Sequence, residues 1–590
     1  MSSVTLSVNT DAAAAAQAAD CDAWWLYATE ILDHLRLSYQ RTDTGAVPPS
    51  EAGVMIIAGP PGSDPDTVAA WVASGGAVIG VGDPGPLTEL AGVTTTGAHV
   101  DHGHVEIAAG GRTVGEPPDV ALHAVGGVRL QPGPDTDILA RWDDDDGAAL
   151  TLHRQGAGLV LWFGVDLWQS VVRIQQGYRV SADGAPATDG SAPIDDDILK
   201  CEDGFALDFD RDRALPPGQP AFEHYEHVLP PKTGLPMFHR PHADLWRSVF
   251  LQCLWYAADQ TGTALGWLHY WPADVPAIAH MSHDSDQNVE EDARAALQTF
   301  AEADVQVTWC HVFPGGYNPE TYPAIASAGH EQALHFNAMA DADIATWGWS
   351  QFRAQYAWAQ AVTGSETLVS NKNHYTRWEG FTDFYRWCER VGIQIDESRG
   401  PSKQGTVGFP FGTAHVSFPM ADAEDGNRYH DVLNLPLHTQ DLALAGHESI
   451  RDVIIEQAYQ QHGVAHFLFH GVHLNRRPKT RKACIALARE VRSRGMQWWT
   501  AGKINSWERA RRGLSVDLEQ TTDGLTVHTR ADQEIPDAAI LIMVPQIERL
   551  AVVDGAGKIS TVRRHGRDFV QLGVDIPAGV GRWTLAATAS

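Results

Sequence analysis

Lysine is scarce in this 590-residue chain. Eight lysines stand among 43 basic residues, set against 74 acidic ones, for a formal net charge of −31. A surface this acidic repels phosphate backbones, so no nucleic-acid partner is expected. Cysteine is scarce too. Cys21, Cys201, Cys253, Cys310, Cys388 and Cys484 are spread singly, with no Cys-x-x-Cys pair. That spacing implies neither a zinc ribbon nor a disulfide framework, and it fits free thiols in a reducing compartment. Basic residues are missing altogether until Arg36, and Met1–Asp20 has neither the positive start nor the apolar run of a secretory signal. No stretch approaches the ~20 apolar residues that span a membrane. The expectation is a soluble, cytoplasmic protein without a membrane span, and an oligomer is compatible with it. Hydrophobic residues make up 44% and charged residues 20%. This is the composition of packed cores, and the length suggests three or four domains.

The order of the elements predicts an α/β fold. In residues 1–175, Gly53–Gly59 and Gly75–Gly82 read as short buried strands. Between them, Asp64–Ser74 reads as a helix with Pro65 in its first turn. Such alternation predicts a parallel sheet, while Val120–Leu152 reads as antiparallel. Residues 176–240 are rich in Asp, Pro and Gly and read as a connecting segment. The Asp195–Asp197 run within it is either solvated or a cation site. Residues 241–511 alternate strands and helices, including a helix over Asp343–Thr363, which suggests a closed or nearly closed (β/α) barrel. Residues 512–590 return to period-two alternation and read as a β-sandwich.

Four polar clusters fall where barrel strands should end: His283-Asp284-Ser285-Asp286, His330 to His335, Asn373-His374-Tyr375-Thr376-Arg377, and His466 to His473. Barrel chemistry sits at strand C-terminal ends. Two carboxylates two residues apart repel unless a cation lies between them or one stays protonated. A metal held by one carboxylate and two imidazoles, with open positions for water, resolves that crowding and is a common hydrolytic arrangement. The bland readings are a helix cap for Asp286, a satisfied core histidine for His335 and a polar-network role for His374.

With these motifs on the page, roughly residues 275–510 resemble the polysaccharide deacetylases, the NodB-homology group of carbohydrate esterases. The resemblance is to a branch with a His-Asp-x-Asp first motif. It rests on Ser282-His-Asp-Ser-Asp286, Gly329-His-Glu-Gln-Ala-Leu-His335, Lys372-Asn-His-Tyr-Thr-Arg-Trp378 and Phe467-Leu-Phe-His470, in that order, with Gly392–Asp396, Gly408–Thr413 and Leu433–Leu437 as further matches. It implies Asp284 as general base, Asp286, His335 and His374 as ligands of a divalent metal, and His470 as the acid. It further implies that His283, Lys372, Tyr375, Arg377, Trp378 and Asp396 lie around the site or the substrate. Zinc is the metal first expected from one Asp and two His, with cobalt, nickel or iron fitting the same set.

Departures from the family pattern are Met339, where many members carry a second histidine, and Lys372 and Pro410, where arginines are usual. Arg377 and Arg399 are the candidate substitutes. The N-terminal pattern around Ser74–Gly82 and Leu87–Val93 resembles glutamine-amidotransferase-like domains of flavodoxin-like fold. No cysteine stands between Cys21 and Cys201, so the nucleophile of that chemistry is missing and a structural or ligand-binding role is expected.

The function implied is removal of acetyl groups from an N- or O-acetylated carbohydrate. Two alternatives stand beside it: an amidase or esterase acting on a non-sugar small molecule, and a non-catalytic carbohydrate-binding scaffold with a decayed site. Among the 20 tryptophans, Trp378 is the one expected to line a cleft.

Overall fold

The structure, a computed structural model, describes residues 4–43, 53–62, 64–144, 147–220, 234–339, 346–402, 404–521, 524–545 and 549–587. In its N-terminal part, five parallel strands run in the spatial order Gln40–Asp43, Val4–Val8, Val54–Ile57, Ala77–Val81 and Gly158–Phe163. Every residue of the middle three and of Gly158–Phe163 is buried, as continuous apolar runs require when both sheet faces are covered. The sheet continues antiparallel through Ala148–Gln155, Thr136–Trp142, His102–Ile107 and Leu122–Val125. The helix between the second and third apolar runs spans Pro65–Ala73, and Asp64 caps it by accepting from the Thr67 N–H at 3.2 Å.

The barrel does not begin at residue 241. Helix His242–Thr261 is buried from His242 to Ala258 except at Leu245, and Trp246, Phe250 and Leu254 join the apolar core of the N-terminal sheet. A helix buried on every face must be enclosed, and here the sheet and the rest of the chain enclose it. Leu265–Leu268 pairs antiparallel with Ile535–Met543, so this strand belongs to the C-terminal part. There, two four-stranded sheets share one apolar cluster. Val516, Val527 and Leu585 come from one sheet, and Ile540, Ile542 and Leu572 from the other. Of the expected connecting segment, residues 221–233 lie outside the described residues. In the rest, Asp196 pairs with Lys200 and Asp183 accepts from the Asp197 N–H.

The sheet that positions the candidate site has eight parallel strands along its length: β1 (Ile278–Asp284), β2 (Thr308–Val312), β3 (Glu331–Phe336), β4 (Ser370–Asn373), β5 (Ile395–Asp396), β6 (Leu433–Asn434), β7 (Thr439–Gln440) and β8 (Val464–His470). Their spatial order is β6-β5-β4-β3-β2-β1-β8-β7, with Gln497–Trp498 also pairing with β1. The two edge strands are consecutive in sequence, and no ladder joins them among the described residues. Four residues are too few for a parallel crossover, so residues 433–440 form one extended segment that bridges the two ends of the sheet. The Leu435 and Leu437 N–H groups donate to the Asp396 and Arg399 carbonyls, and the His438 and Asp441 N–H groups to those of His466 and Leu468. Pro436 stands in the four-residue crossing and has no N–H to give. Helices Glu290–Ala303, Trp349–Thr363, Asp383–Val391, Ile450–Gln461 and Pro478–Ser493 follow the strands. The helix expected from Asp343 begins at Trp349, after Gly348, and Asp343–Ala345 lie outside the described residues.

Candidate active site

Strand periodicity sorts the first cluster. Side chains alternate across a sheet, so His280, Ser282 and Asp284 share one face of β1 while Met281 and His283 share the other. Met281 joins the apolar cluster under the helices. His283 lies there too: its Nδ1–H donates to the Phe469 carbonyl at 2.7 Å, and its ring packs 4.2 Å from Trp309. Expected beside the site, His283 instead faces the helix layer. Asp284, Ser282 and His280 face the barrel interior.

Register does the rest. Asp284 stands directly opposite His470 on β8, and His335 opposite Lys372 on β4. Asp286 follows β1, and His374 follows β4. Both are carried on turns with left-handed non-glycine backbone: Gln287 and Asn288 have φ of 59° and 50°, Tyr375 and Thr376 of 60° and 51°. Such conformations cost about 1 kcal/mol or more each and persist where the surroundings enforce them, often at functional sites. Asn373 helps to enforce the second turn, its Nδ2 donating to the Arg377 carbonyl at 3.0 Å.

Three atoms converge at the rim. His335 Nε2 lies 3.1 Å from His374 Nδ1 and 3.6 Å from Asp286 Oδ1, and His374 Nδ1 lies 3.5 Å from Asp286 Oδ1. Bonds of ~2.0–2.2 Å in a tetrahedral zinc site give ligand–ligand separations of about 3.3–3.5 Å. The protonation pattern agrees. His335 Nδ1–H donates to the Lys372 carbonyl at 2.9 Å, which leaves a lone pair on Nε2 facing the gap. Asp286 Oδ1 is buried and has no hydrogen-bond partner. An acceptor left bare beside the His335 lone pair fits a cation. Burial pushes the Asp286 carboxyl up, but His335 and His374 outweigh it and hold it well below the usual range.

Two groups flank this trio. Asp284 Oδ2 is 3.4 Å from His335 Nε2, and its Oδ1 is 3.6 Å from the Lys372 ammonium. Burial would raise its pKa, but His335, Lys372 and His470 together hold it below the ordinary value. Lys372 is itself buried and donates to Ser282 Oγ at 2.9 Å, so it serves Asp284 as a fixed point charge without an arginine's fork. His470 Nε2 lies 3.8 Å from Asp284 and 3.7 Å from Asp286. Its Nδ1–H donates to Asp441 at 2.5 Å, and its backbone N–H donates to the other oxygen at 3.0 Å. Burial favours neutral His470, yet Asp441, Asp286 and Asp284 raise its pKa to about 10.

Asp441 went unseen in the sequence, where it carries no motif. The available signal is its place one residue past β7, a strand C-terminal end. His473 Nδ1 also lies 2.8 Å from the Asp441 carboxylate. His466, a competitor of His470 by sequence, lies deeper in the barrel with Nε2 2.8 Å from Ser282 Oγ.

The cleft over these groups measures about 350 Å³ and is lined by Lys200, Tyr375, Ser402, Leu437, Gln440 and Val472 together with the charged groups above. Tyr375 is 52% exposed at its mouth. Trp378, expected to line it, is fully buried, its ring under the Arg399 guanidinium at 4.3 Å. The left-handed turn at Tyr375 and Thr376 sends the following residues back into the core. Arg377 donates to the Leu199 carbonyl and pairs with Glu379, while Arg399 donates to Tyr385, Gln176 and Phe381. Neither replaces the missing arginines. Asp396 is likewise elsewhere, accepting from Asn371 at 2.9 Å and Ser398 at 2.7 Å. Met339 donates its backbone N–H to Asn337.

No family model matches the chain, and no curated protein matches it. Among solved structures, it is similar to a Mycobacterium smegmatis protein assigned as a polysaccharide deacetylase, with 15% identity over 41% of this chain and 93% of that one and a TM-score of 0.31. It is similar to a family 4 carbohydrate esterase from Streptomyces lividans, with 14% identity over 37% and 90% and a TM-score of 0.23. A β-galactosidase from Bacillus circulans sp. alkalophilus matches with 12% identity over 29% and 30% and a TM-score of 0.22. Similarity this distant decides no activity, and the functional reading rests on the chain's own side chains.

Proposed function

We propose that the chain is a metal-dependent hydrolase that removes acetyl groups from an acetylated carbohydrate. Asp286, His335 and His374 would hold a divalent ion, zinc first among the candidates, and Asp284 and His470 would be the base and the acid. The observation that carries this reading is the trio of mutually close donor atoms, 3.1, 3.5 and 3.6 Å apart, with an anionic carboxylate and a cationic imidazole on either side. A divalent ion at that point would acidify a water and polarise an acyl carbonyl. Asp284, held anionic by Lys372, accepts the proton of the attacking water. His470, held protonated by Asp441, donates to the departing amine or alcohol. The His335 Nδ1–H bond to the Lys372 carbonyl locks the imidazole in one orientation.

The three domains, residues 1–175, 241–511 and 512–590, with their connection, remain the working division, amended by the two crossings at helix His242–Thr261 and strand Leu265–Leu268. A second reading, an amidase or esterase on a non-sugar compound, draws support from the burial of Trp378, since Tyr375 is then the aromatic surface at the cleft mouth.

The test is release of acetate from a panel of N- and O-acetylated sugars and simple acetanilides, before and after chelation and zinc readdition. Sugar turnover that chelation abolishes and zinc restores is expected. Turnover confined to the anilides moves the assignment to the second reading, and turnover indifferent to chelation removes the metal from it.

The acid carries its own prediction. With His470 titrating at about 10, turnover should hold through neutrality and fall above about pH 10 as the donor loses its proton. Asp441→Asn removes the counter-charge and should move that alkaline limb down by about 1–3 pH units. A pH–rate profile unchanged in this variant would show that His470 is not the titrating acid.

A further inference from the structure

A second cavity, of about 40 Å³, lies at the other end of the barrel. His462, two residues before β8 begins, is in its wall. Helix His242–Thr261 contributes Arg247, and the C-terminal part contributes Arg564 and His565, so all three parts of the chain meet there. Its volume admits about three waters or one small polyatomic ion.

The charges in it do not balance. Arg247 is 4% exposed, and its Nε and Nη1 have no hydrogen-bond partner. Its one hydrogen bond among the described residues goes from Nη2 to Gln175 at 3.3 Å. Asp244 is the only carboxylate in the wall, 3.5 Å from Nη1, and both its oxygens are already taken. One accepts from the Thr413 hydroxyl and the other from the Ala414 N–H, each at 2.6 Å. Arg564 donates from Nη1 to the Arg563 carbonyl, and its buried Nε is also unpartnered. No carboxylate pairs with it among the described residues. Two nearby arginines are spoken for: Arg511 by Glu508, and Arg512 by Glu508 and Glu30. Trp255 and Trp267, stacked at 5.6 Å, close one side with apolar surface.

In a chain of net charge −31, this pocket sets two guanidinium groups against one carboxylate, an excess of one positive charge. Unpaired buried guanidinium nitrogens are costly, and each demands a partner. A guanidinium fork suits the planar or tetrahedral faces of oxyanions. The surrounding imidazoles register the same field: burial and Arg564 lower His462 to about 3 and His565 to about 4. Both are neutral at pH 7; His462 gives its Nδ1–H to the Pro276 carbonyl at 2.8 Å, while His565 can turn an N–H toward an anion.

We propose that this cavity binds a small oxyanion of the phosphate class, free or as the phosphoryl group of a metabolite, between Arg247 and Arg564. Because its walls come from three parts of the chain, the bound anion would fasten them together, independently of the cleft at the other end of the barrel. The experiment is calorimetric titration of the full chain in chloride-free buffer with inorganic phosphate and, separately, with phenyl phosphate as the carried form. Saturable 1:1 binding of at least one is expected, together with a rise in Tm. Binding of phosphate alone identifies a free anion, and binding of both identifies a phosphoryl group. Arg564→Gln, on a half-buried hairpin, should fold normally and weaken binding by about tenfold or more. Arg247→Gln should abolish binding, if the variant is soluble. No saturable binding up to about 10 mM, or equal affinity in wild type and Arg564→Gln, overturns the proposal, since phosphate would then be bound elsewhere or not at all.

Discussion

Asp284→Asn is expected to lower turnover about 10³-fold while the metal content stays at that of the unaltered chain. Asparagine keeps the shape of the side chain and loses its basicity, and a positioned general base contributes roughly 10²–10⁴-fold. The change has a structural cost as well. Lys372 is buried, and Asp284 is its counter-ion at 3.6 Å. Stripping one partner from a buried pair costs about 3–5 kcal/mol, a large share of the about 5–15 kcal/mol typical of a domain. A fall in Tm should therefore accompany the fall in turnover. The double variant Asp284→Asn with Lys372→Met separates the two effects: it should regain stability and remain inactive. Full activity in the single variant, measured as acetate release at matched folded fraction, would falsify the assignment of Asp284 as base.

His335→Ala should cost the metal itself. It removes the donor atom that lies 3.6 Å from Asp286 and 3.4 Å from Asp284, and it leaves Asp286 and His374 as the remaining pair. Outer-shell substitutions typically weaken metal sites about 10–100-fold, and losing a direct ligand should exceed that. Acetate release should fall with it to background. The readout is metal per chain by elemental analysis after dialysis, alongside turnover. His283→Ala is the matched control, because its ring faces Trp309 and the helix layer. That variant should keep its metal. If His335→Ala retained a full equivalent of tightly bound metal, the trio would not be the site, whatever its effect on activity.

Much of the barrel was legible because its signals are local. Val464–His470 is an apolar run that stops at a histidine, and Val289–Glu302 has a helix's spacing. The structure has β8 over Val464–His470 and a helix over Glu290–Ala303. The spacing of Asp284 and Asp286 also posed the electrostatic question unaided, since two nearby carboxylates repel in any fold. Trp378 was misjudged for the opposite reason. Closeness in sequence to His374 suggested closeness to the cleft, but the left-handed turn at Tyr375 and Thr376 reverses the chain between them. Helix His242–Thr261 and strand Leu265–Leu268 were assigned to the barrel because they precede it, and their partners lie about 50 to 280 residues away in the sheet ladders and core clusters.

By itself the sequence determined which side chains stand at strand ends and which way they alternate, because the period of a strand and the chemistry of a carboxylate are properties of a few consecutive residues. Only the tertiary structure decided that Asp284 faces His470 and that Asp441 orients it. It alone turned Arg377 and Arg399 away and set Arg247 and Arg564 in one cavity. Those are relations between distant segments, fixed by strand register and packing, and no local pattern encodes them.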